Sequence, residues 1–359
     1  MDLDDSWEMV LIHTATGLKQ RELDWFLEEL HSTVTDLKHG LEDCYALLAP
    51  VDPGSTLVLS TPRNEIVKGT ITRVGTRIVK GTIHLRLRTL PAQTLTLDHT
   101  HPIHLQPLTT LHTLLTHSLD LLALTLTYCY GHPPPGPNAT KPYLPLPSPD
   151  ATGSTAIPSP VFLSAQLRLL SQSLSEAVSL LKGPPLTTAD PAWTTRSISP
   201  SHFCPPGPLP KPSNPATQPP PLSFHLGIQD GSIVLWLRSL ESADTPVGFG
   251  TKLAFAIGTS RRLEHDEAER VFGFCCSDSS DDAGQEGKRG HSLGRAVSDG
   301  SAPVTLGRKE IDVFVREKVR VETADPSLLS LAAKLTALSH VLAVARRNLA
   351  AVMGEEIED

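Results

Sequence analysis

The stretch that decides the fold is residues 325–354, DPSLLSLAAKLTALSHVLAVARRNLAAVMG. Its apolar residues recur at alternating intervals of three and four, which places them on one stripe of an α-helix. Asp325 suits the N-cap and Gly354 the C-terminal stop. Other apolar residues must pack against this stripe, because burial of each leucine side chain stabilises the fold by about 2 kcal/mol. Its members are Leu328, Leu331, Leu335, Leu338, Leu342, Ala345, Leu349 and Val352.

Three further segments carry the same helical pattern and can supply those apolar residues. We predict helices near residues 18–48, 107–128 and 161–182, besides the one at 326–353. Residues 1–17 show no clear period, and we expect them to form a flexible lead. Packing within one chain is favoured over a coiled coil between chains, since it has no concentration cost. The buried positions are predicted to be Leu23, Leu27, Leu30, Val34, Leu37, Leu41, Cys44 and Leu48, then Leu108, Leu111, Leu115, Leu119 and Leu122, and then Leu163, Leu167, Leu170, Leu174, Ala177 and Leu181.

Between the helices the pattern changes to the alternation of β-strands. The hexapeptide IVKGTI occurs at 66–71 and again at 78–83, which predicts two paired strands. Residues 222–237 read as a hairpin around a QDGS turn, with the return strand central in its sheet. Further strands are predicted at 57–60, 251–257 and 311–322.

The first strands also carry basic residues. Ile83, Leu85 and Leu87 alternate with His84, Arg86 and Arg88, which predicts one buried and one basic face. Such a strip could bind an acidic partner or lipid head groups. The more common explanation is the solvated face of a half-buried sheet, and it is favoured here. The strip comprises Lys68, Arg73, Lys80, Arg86 and Arg88.

These elements predict an α+β fold, an antiparallel helical bundle formed by the N- and C-terminal helices with an inserted antiparallel β domain. Residues 261–270 are judged too charged for a core. The bundle is assigned residues 18–50, 102–130, 160–183 and 325–354, and the β domain residues 55–90 and 222–322. Residues 131–160, 184–221 and 275–303 are assigned to low-complexity or disordered linkers.

Composition narrows the function classes. The net charge of −8 argues against nucleic acid as the main partner. The N-terminus is acidic and no apolar run approaches the ~18 residues of a membrane span, so a cytosolic protein is expected. The five cysteines show no metal-ligand spacing and are expected to be reduced. The acidic, serine-rich residues 277–282 could be phosphorylated, although a solvated linker is favoured.

The sharpest candidate for chemistry is a group of histidines. His99, His101 and His104 lie close together beside Asp98, and imidazoles at such spacing could hold zinc. Pro102 interrupts the segment and no HExxH or CxxC accompanies it, so ordinary loop histidines are favoured. Nucleotide-binding and hydrolase motifs are missing from the sequence. We therefore predict a non-enzyme and assign no catalytic, cofactor-binding or metal residue. Two further histidines follow on the next helix, His112 and His117.

Four segments carry a resemblance to a known family. They are RELDWFLEELHSTVTDLKHGLEDCYALLAP at 21–50, STLVLSTPRNEIVKGTITRVGTRIVKGTIHLRL at 55–87, LSFHLGIQDGSIVLWLRSLE at 222–241 and KVRVETADPSLLSLAAKLTALSHVLAVARRNL at 318–349. Together they resemble the RAVE subunit 2/Rogdi family in a fungal form. The family's leucine-zipper label fits the helical stripes.

The resemblance implies a non-catalytic adaptor subunit of a RAVE-like complex. Such a subunit promotes assembly of the V1 sector onto the Vo sector of the vacuolar proton-pumping ATPase and so supports vacuolar and endosomal acidification. Its implied partners are a large β-propeller scaffold subunit and V1. It would be cytoplasmic and reach vacuolar and endosomal membranes only peripherally, through its partners. The alternative is a general helical scaffold that homodimerises through its heptad stripes, with no link to the pump.

Overall fold

The computed structural model describes residues 3–130, 159–185, 191–204, 222–243, 265–275 and 310–354. Within these ranges the chain has four α-helices and two antiparallel sheets, which confirms the α+β class. Contacts divide it into two compact units. The first unit comprises Met1–Ala49, Gln106–Lys182 and Pro326–Asp359, and the second comprises Pro50–Leu105 and Gly183–Asp325.

The first unit holds the helices, which are α1 (Leu3–Leu47), α2 (Gln106–Tyr130), α3 (Pro160–Lys182) and α4 (Pro326–Met353). Both α1 and α3 contact α2 and α4. The predicted stripes supply these contacts: all six predicted positions of α3 are buried. In α4, Leu338 and Val352 are only half-buried, while the other six predicted positions are buried. Burial of these apolar side chains is the main term that stabilises the unit.

Two expectations about the helices are wrong. Residues 3–17 belong to α1 and are not a flexible lead, because a chain without proline can continue helical hydrogen bonding beyond its apolar stripe. The expectation that no apolar stretch is long enough to span a membrane also fails. By length and composition alone α4 could do so, and 28% of its most apolar window is buried in the structure. Alanines on its outer side raise the hydropathy, and its leucine stripe is packed in the first unit.

The first sheet of the second unit contains β1 (Ser55–Ser60), β2 (Val67–Val74), β3 (Arg77–Leu85), β4 (Gln93–Thr96) and β5 (Ile103–His104). The strand order is β1-β2-β3-β4, and β5 also pairs with β3. The two IVKGTI segments form the β2-β3 hairpin, as predicted. The sequence does not predict the short strands β4 and β5, because strands of four and two residues are too short to show a recognisable alternation.

The second sheet contains β6 (Leu222–Gln229), β7 (Ser232–Ser242), β8 (Val271–Cys275) and β9 (Glu310–Ala324), in the order β6-β7-β9-β8. The predicted hairpin is present as β6-β7. Asp230 and Gly231 both have positive φ in its two-residue turn, which suits Asp-Gly. The return strand β7 lies between β6 and β9 and is therefore central, as predicted.

Parts of the predicted linkers are ordered core elements. Trp193 and Phe203 are buried within residues 191–204, which were assigned to a linker. Cys275, placed at the start of the acidic insert, is the last residue of β8. Isolated buried aromatics between prolines leave no periodic signal, which explains these errors. The predicted strand at 251–257, residues 131–158 and residues 276–303 lie outside the described residues.

Candidate functional site

The candidate site is the outer face of the first sheet. Strand alternation turns one set of side chains from β1 to β4 away from the buried residues of the sheet. Pairing aligns that set in three rows across the strands. We call it the lysine-threonine face. Its rows are Thr56, Thr72 and Lys80, then Val58, Thr70, Thr82 and Thr96, and then Ser60, Lys68, His84 and Thr94.

The polar side chains of this face interact across the strands. Thr56 and Thr72 share a hydrogen bond of 3.1 Å between their hydroxyl oxygens. His84 Nδ1 lies 2.8 Å from the Thr94 hydroxyl. Such cross-strand pairs stabilise a sheet surface by small amounts. Most of the side chains stay exposed, so the face is a flat polar surface with its hydroxyls available to a partner.

Only part of the predicted basic strip lies on this face. Lys68 and Lys80 are exposed there. Arg86 directly follows the last residue of β3 and is exposed on the same side as His84. Arg73 is 3% exposed and points to the opposite side. Alternation along β2 accounts for this, because Arg73 directly follows Thr72 of the outer face and so lies on the inner face with Ile71. The prediction that groups Arg73 with the exposed cations is therefore wrong, because it does not separate the two faces of β2.

Arg73 instead forms a buried ion pair. Its Nε donates to Asp325 Oδ2 at 2.5 Å, and its Nη1 donates to the Gly75 carbonyl at 2.6 Å. Asp325 is fully buried. The pair joins β2 of the first sheet to the residue that follows β9 of the second sheet, so its role is structural.

A groove opens at one end of the lysine-threonine face. It has a volume of about 540 Å³ and is bounded by Lys68, His84 and Arg86 together with one exposed carboxylate, Glu65. Its apolar lining comes from Ile66 and Ala92, since the Leu85 side chain is buried on the other side of the sheet, and its remaining polar lining comes from Gln93 and Thr94. Lys68, His84 and Arg86 therefore line one cavity, which is large enough for a few residues of an extended peptide.

The charge of the face is unbalanced. Among the described residues, no carboxylate forms an ion pair with Lys68, Lys80 or Arg86. The chain as a whole carries a net charge of −8, so this surface contrasts with the overall charge. A local positive surface on an acidic protein attracts anionic groups at short range.

The predicted histidine candidates do not converge. His99 and His101 are exposed, and His101 Nδ1 lies 3.1 Å from Asp98 Oδ2. Hydrogen bonds from the Thr100 backbone and then from His101 lower the pKa of the Asp98 carboxyl to about 2. Among the residues that the structure describes, no group of three or more His, Cys, Asp and Glu side chains could hold a metal ion. His112 contacts the ring of Tyr45, with ring centroids 4.9 Å apart.

Sequence reasoning missed a buried charged cluster in the second sheet. Glu267, 1% exposed, accepts hydrogen bonds of 2.7 and 2.9 Å from Arg238, and its carboxylate lies 2.7 Å from Lys318 Nζ. The expectation that residues 261–270 are too charged for a core is wrong for Glu267. Burial by itself would raise the pKa of the Glu267 carboxyl, but hydrogen bonds from Arg238 and Lys318 outweigh it and lower that pKa.

Aromatic rings complete this cluster. The Arg238 guanidinium lies 4.7 Å from the ring centroid of Trp193 and 5.3 Å from that of Trp236. Lys318 lies 4.9 Å from the centroid of Trp236. Stacking of this kind stabilises a partly desolvated cation. Glu267 accepts hydrogen bonds from Nε and Nη2 of Arg238, whereas Arg238 Nη1 is buried without a hydrogen-bond partner among the described residues. The pair holds the segment 265–270 against the sheet.

Three cysteines that the structure describes are free, as expected. Cys44 is buried on α1, and desolvation raises the pKa of its thiol to about 11. A thiol in that state is a poor nucleophile. Cys204 is exposed and Cys275 is partly buried.

The described residues thus form an α+β protein with a helical unit, a β unit and a basic, hydroxyl-rich sheet surface. A family model described as Rogdi leucine zipper containing protein matches residues 22–350, which is most of the chain. The chain belongs to the Rogdi family. No curated protein matches it.

Proposed function

We propose that this chain is a non-catalytic adaptor subunit of a fungal RAVE-like complex that promotes assembly of V1 onto Vo of the vacuolar proton-pumping ATPase. The observation that carries the proposal is the family match over residues 22–350. It begins within α1 and ends within α4, so it includes both helical and β units. An adaptor needs exposed binding surfaces rather than a reaction centre, and the lysine-threonine face is such a surface.

The proposal includes an antiparallel bundle of the four helices. Contacts between α1 and α4 support it, because residue numbers run in opposite directions along them. Phe26 and Ala345 line one groove between the two helices, and Asp43 binds Lys334 at 2.8 Å further along. A β-carbon at Gly40 would lie 2.5 Å from Leu338 Cδ2, so the helices are in close contact there. A bundle of this kind gives an adaptor a rigid framework.

The proposed partners are a large β-propeller scaffold subunit and the V1 sector. The proposed location is the cytoplasm, with peripheral recruitment to vacuolar and endosomal membranes through those partners. The proposed partners and location rest on the family resemblance. The helical stripes add only that most of their leucines are buried inside the first unit, so these leucines are not the surface that binds a partner.

Immunoprecipitation of the tagged full-length chain from a fungal lysate tests the proposal. We expect V1 subunits and a β-propeller protein to be recovered together, as identified by mass spectrometry. In cells that lack the chain, less V1 should be found on purified vacuolar membranes, and re-expression should restore it. Unchanged membrane-bound V1 together with recovery of neither partner would overturn the proposal.

A homodimeric scaffold is the alternative, and one observation favours it. Val341 and Val344 are 44% and 40% exposed on α4 and line a groove of about 270 Å³ with Phe26 and Leu30 of α1. Exposed apolar residues beside a groove can receive a helix from a second copy. Sedimentation equilibrium separates the two functions. A strict monomer at micromolar concentration excludes the scaffold, whereas a dimer that Val341→Asp dissociates supports it.

A further inference from the structure

We propose that the lysine-threonine face binds an extended acidic segment of a partner protein, with Lys68 and Arg86 pairing with two carboxylates of that segment. The inference deepens the adaptor function and rests on it, since it requires a protein partner. It does not depend on that partner being part of the proton pump.

The spacing of the two cations carries the first step. Lys68 is paired with His84, and Arg86 lies two residues further along the same face. Such diagonal neighbours are about 7 to 8 Å apart on an antiparallel sheet. In an extended peptide, side chains at positions i and i+2 point to the same side and are about 7 Å apart. Two carboxylates in that arrangement therefore match Lys68 and Arg86.

The surroundings of these cations favour a peptide. The groove beside them combines an apolar lining at Ile66 and Ala92 with donors at Gln93 and Thr94. An alternating acidic and apolar segment can place its carboxylates on the cations and its apolar side chains along this lining. Glu65 at the margin repels a third carboxylate, which limits the acidic stretch that fits.

The same observations argue against an anionic membrane. Surfaces that bind anionic lipid typically cluster about four to eight Lys or Arg residues. Here Lys68 and Arg86 lie at one end, and Lys80 lies four residues from His84, roughly 13 Å along β3. The rows of the face contain one large apolar side chain, Val58, so little is available for insertion among acyl chains.

Fluorescence anisotropy with the purified full chain tests the proposal. The probe is a short fluorescein-labelled peptide in which Glu alternates with Val. We expect it to bind, with an affinity that falls as salt is raised from about 50 mM to about 500 mM. The double variant Lys68→Glu and Arg86→Glu should weaken binding by about tenfold or more, because two attractions become repulsions. A peptide with Gln in place of Glu should not bind.

The matched control is the double variant Arg21→Glu and Arg347→Glu. Both arginines are exposed on helices of the first unit, and the change in net charge is the same. Equal loss of binding in the two double variants would overturn the proposal, since only overall charge would then matter. Co-sedimentation with phosphatidylserine vesicles in the absence of peptide binding would also overturn it. Failure of the peptide assay leaves recovery of V1 in the lysate experiment unaffected, so the two proposals fail separately.

Discussion

The two sheets of the second unit use charged residues in opposite ways. In the first sheet, Lys68, Lys80 and Arg86 are exposed beside threonines. In the second sheet, Arg238 is 4% exposed and binds the equally buried Glu267. Solvated charges contribute little to stability, whereas a buried charge must be paired or its desolvation is very costly. The outer face of the first sheet therefore keeps its cations available for a partner, whereas Arg238 of the second sheet stabilises the structure of that sheet.

The largest effect is expected from Glu267→Ala. It leaves the buried Arg238 without its carboxylate, while Lys318 keeps Asp266, which should lower the free energy of unfolding by about 3 to 5 kcal/mol. Urea denaturation followed by tryptophan fluorescence measures the change, because Trp193 and Trp236 report on this cluster. Glu65→Ala removes an exposed carboxylate of the first sheet and serves as control, with an expected change of about 0.5 kcal/mol or less. Equal effects would contradict the contrast between the sheets.

A smaller loss is expected from Arg73→Ala. This arginine belongs to the first sheet, but its side chain lies on the inner face, where it is buried against Asp325. Its removal takes the cation from a fully buried carboxylate and should cost about 3 kcal/mol by the same urea assay. Lys80→Ala, an exposed cation on the neighbouring strand, should change stability by about 0.5 kcal/mol or less. If the two variants were equally stable, Arg73 would not act as a structural link.

The free energy of unfolding should depend on pH differently in the wild type and in the variant Glu267→Gln. The lowered pKa of Glu267 means that the ionised form stabilises the fold above the ordinary Glu value of 4.5. That contribution is lost as the pH falls through the lowered pKa. The difference in free energy of unfolding between the wild type and Glu267→Gln should therefore narrow from about pH 6 to about pH 3. A difference that stays constant over this range would show that the Glu267 charge does not stabilise the fold.

The smallest effect is expected from the double variant Lys68→Ala and Arg86→Ala. Neither residue has an ion-pair partner among the described residues, so the free energy of unfolding should change by about 0.5 kcal/mol or less. The melting temperature measured by circular dichroism should stay within a few degrees of the wild type. A loss as large as that of Arg73→Ala would mean that the lysine-threonine face is structural and not available for binding.

Much of the helical unit could be predicted from the sequence, because helix periodicity is a local property of the chain. Residues such as Leu163 and Leu174 repeat at helical spacing and are buried as expected. The β6-β7 hairpin was equally readable from its alternation and its Asp-Gly turn. The start of α1 was missed, since helical hydrogen bonding needs no apolar stripe to continue.

Only part of the candidate site could be predicted from the sequence. Alternation correctly placed Lys68, Lys80 and Arg86 on an exposed face, but the groove beside Arg86 depends on Ala92, Gln93 and Thr94 near the unforeseen strand β4. Glu267 was missed because its partners are distant in sequence. Arg238 lies 29 residues before it, and a charged residue gives no local sign that a distant partner will bury it.

The sequence by itself determined most residues of the buried stripes of the helices, the two hairpins and the exposed basic positions of β2 and β3. Period and turn chemistry decide these features within a few residues of chain. Only the tertiary structure decided the fate of individual charges. Folding brought Arg73 to Asp325, and it brought Arg238, Glu267 and Lys318 together. Whether a charge is solvated or buried depends on the groups packed around it, and those groups come from distant parts of the chain.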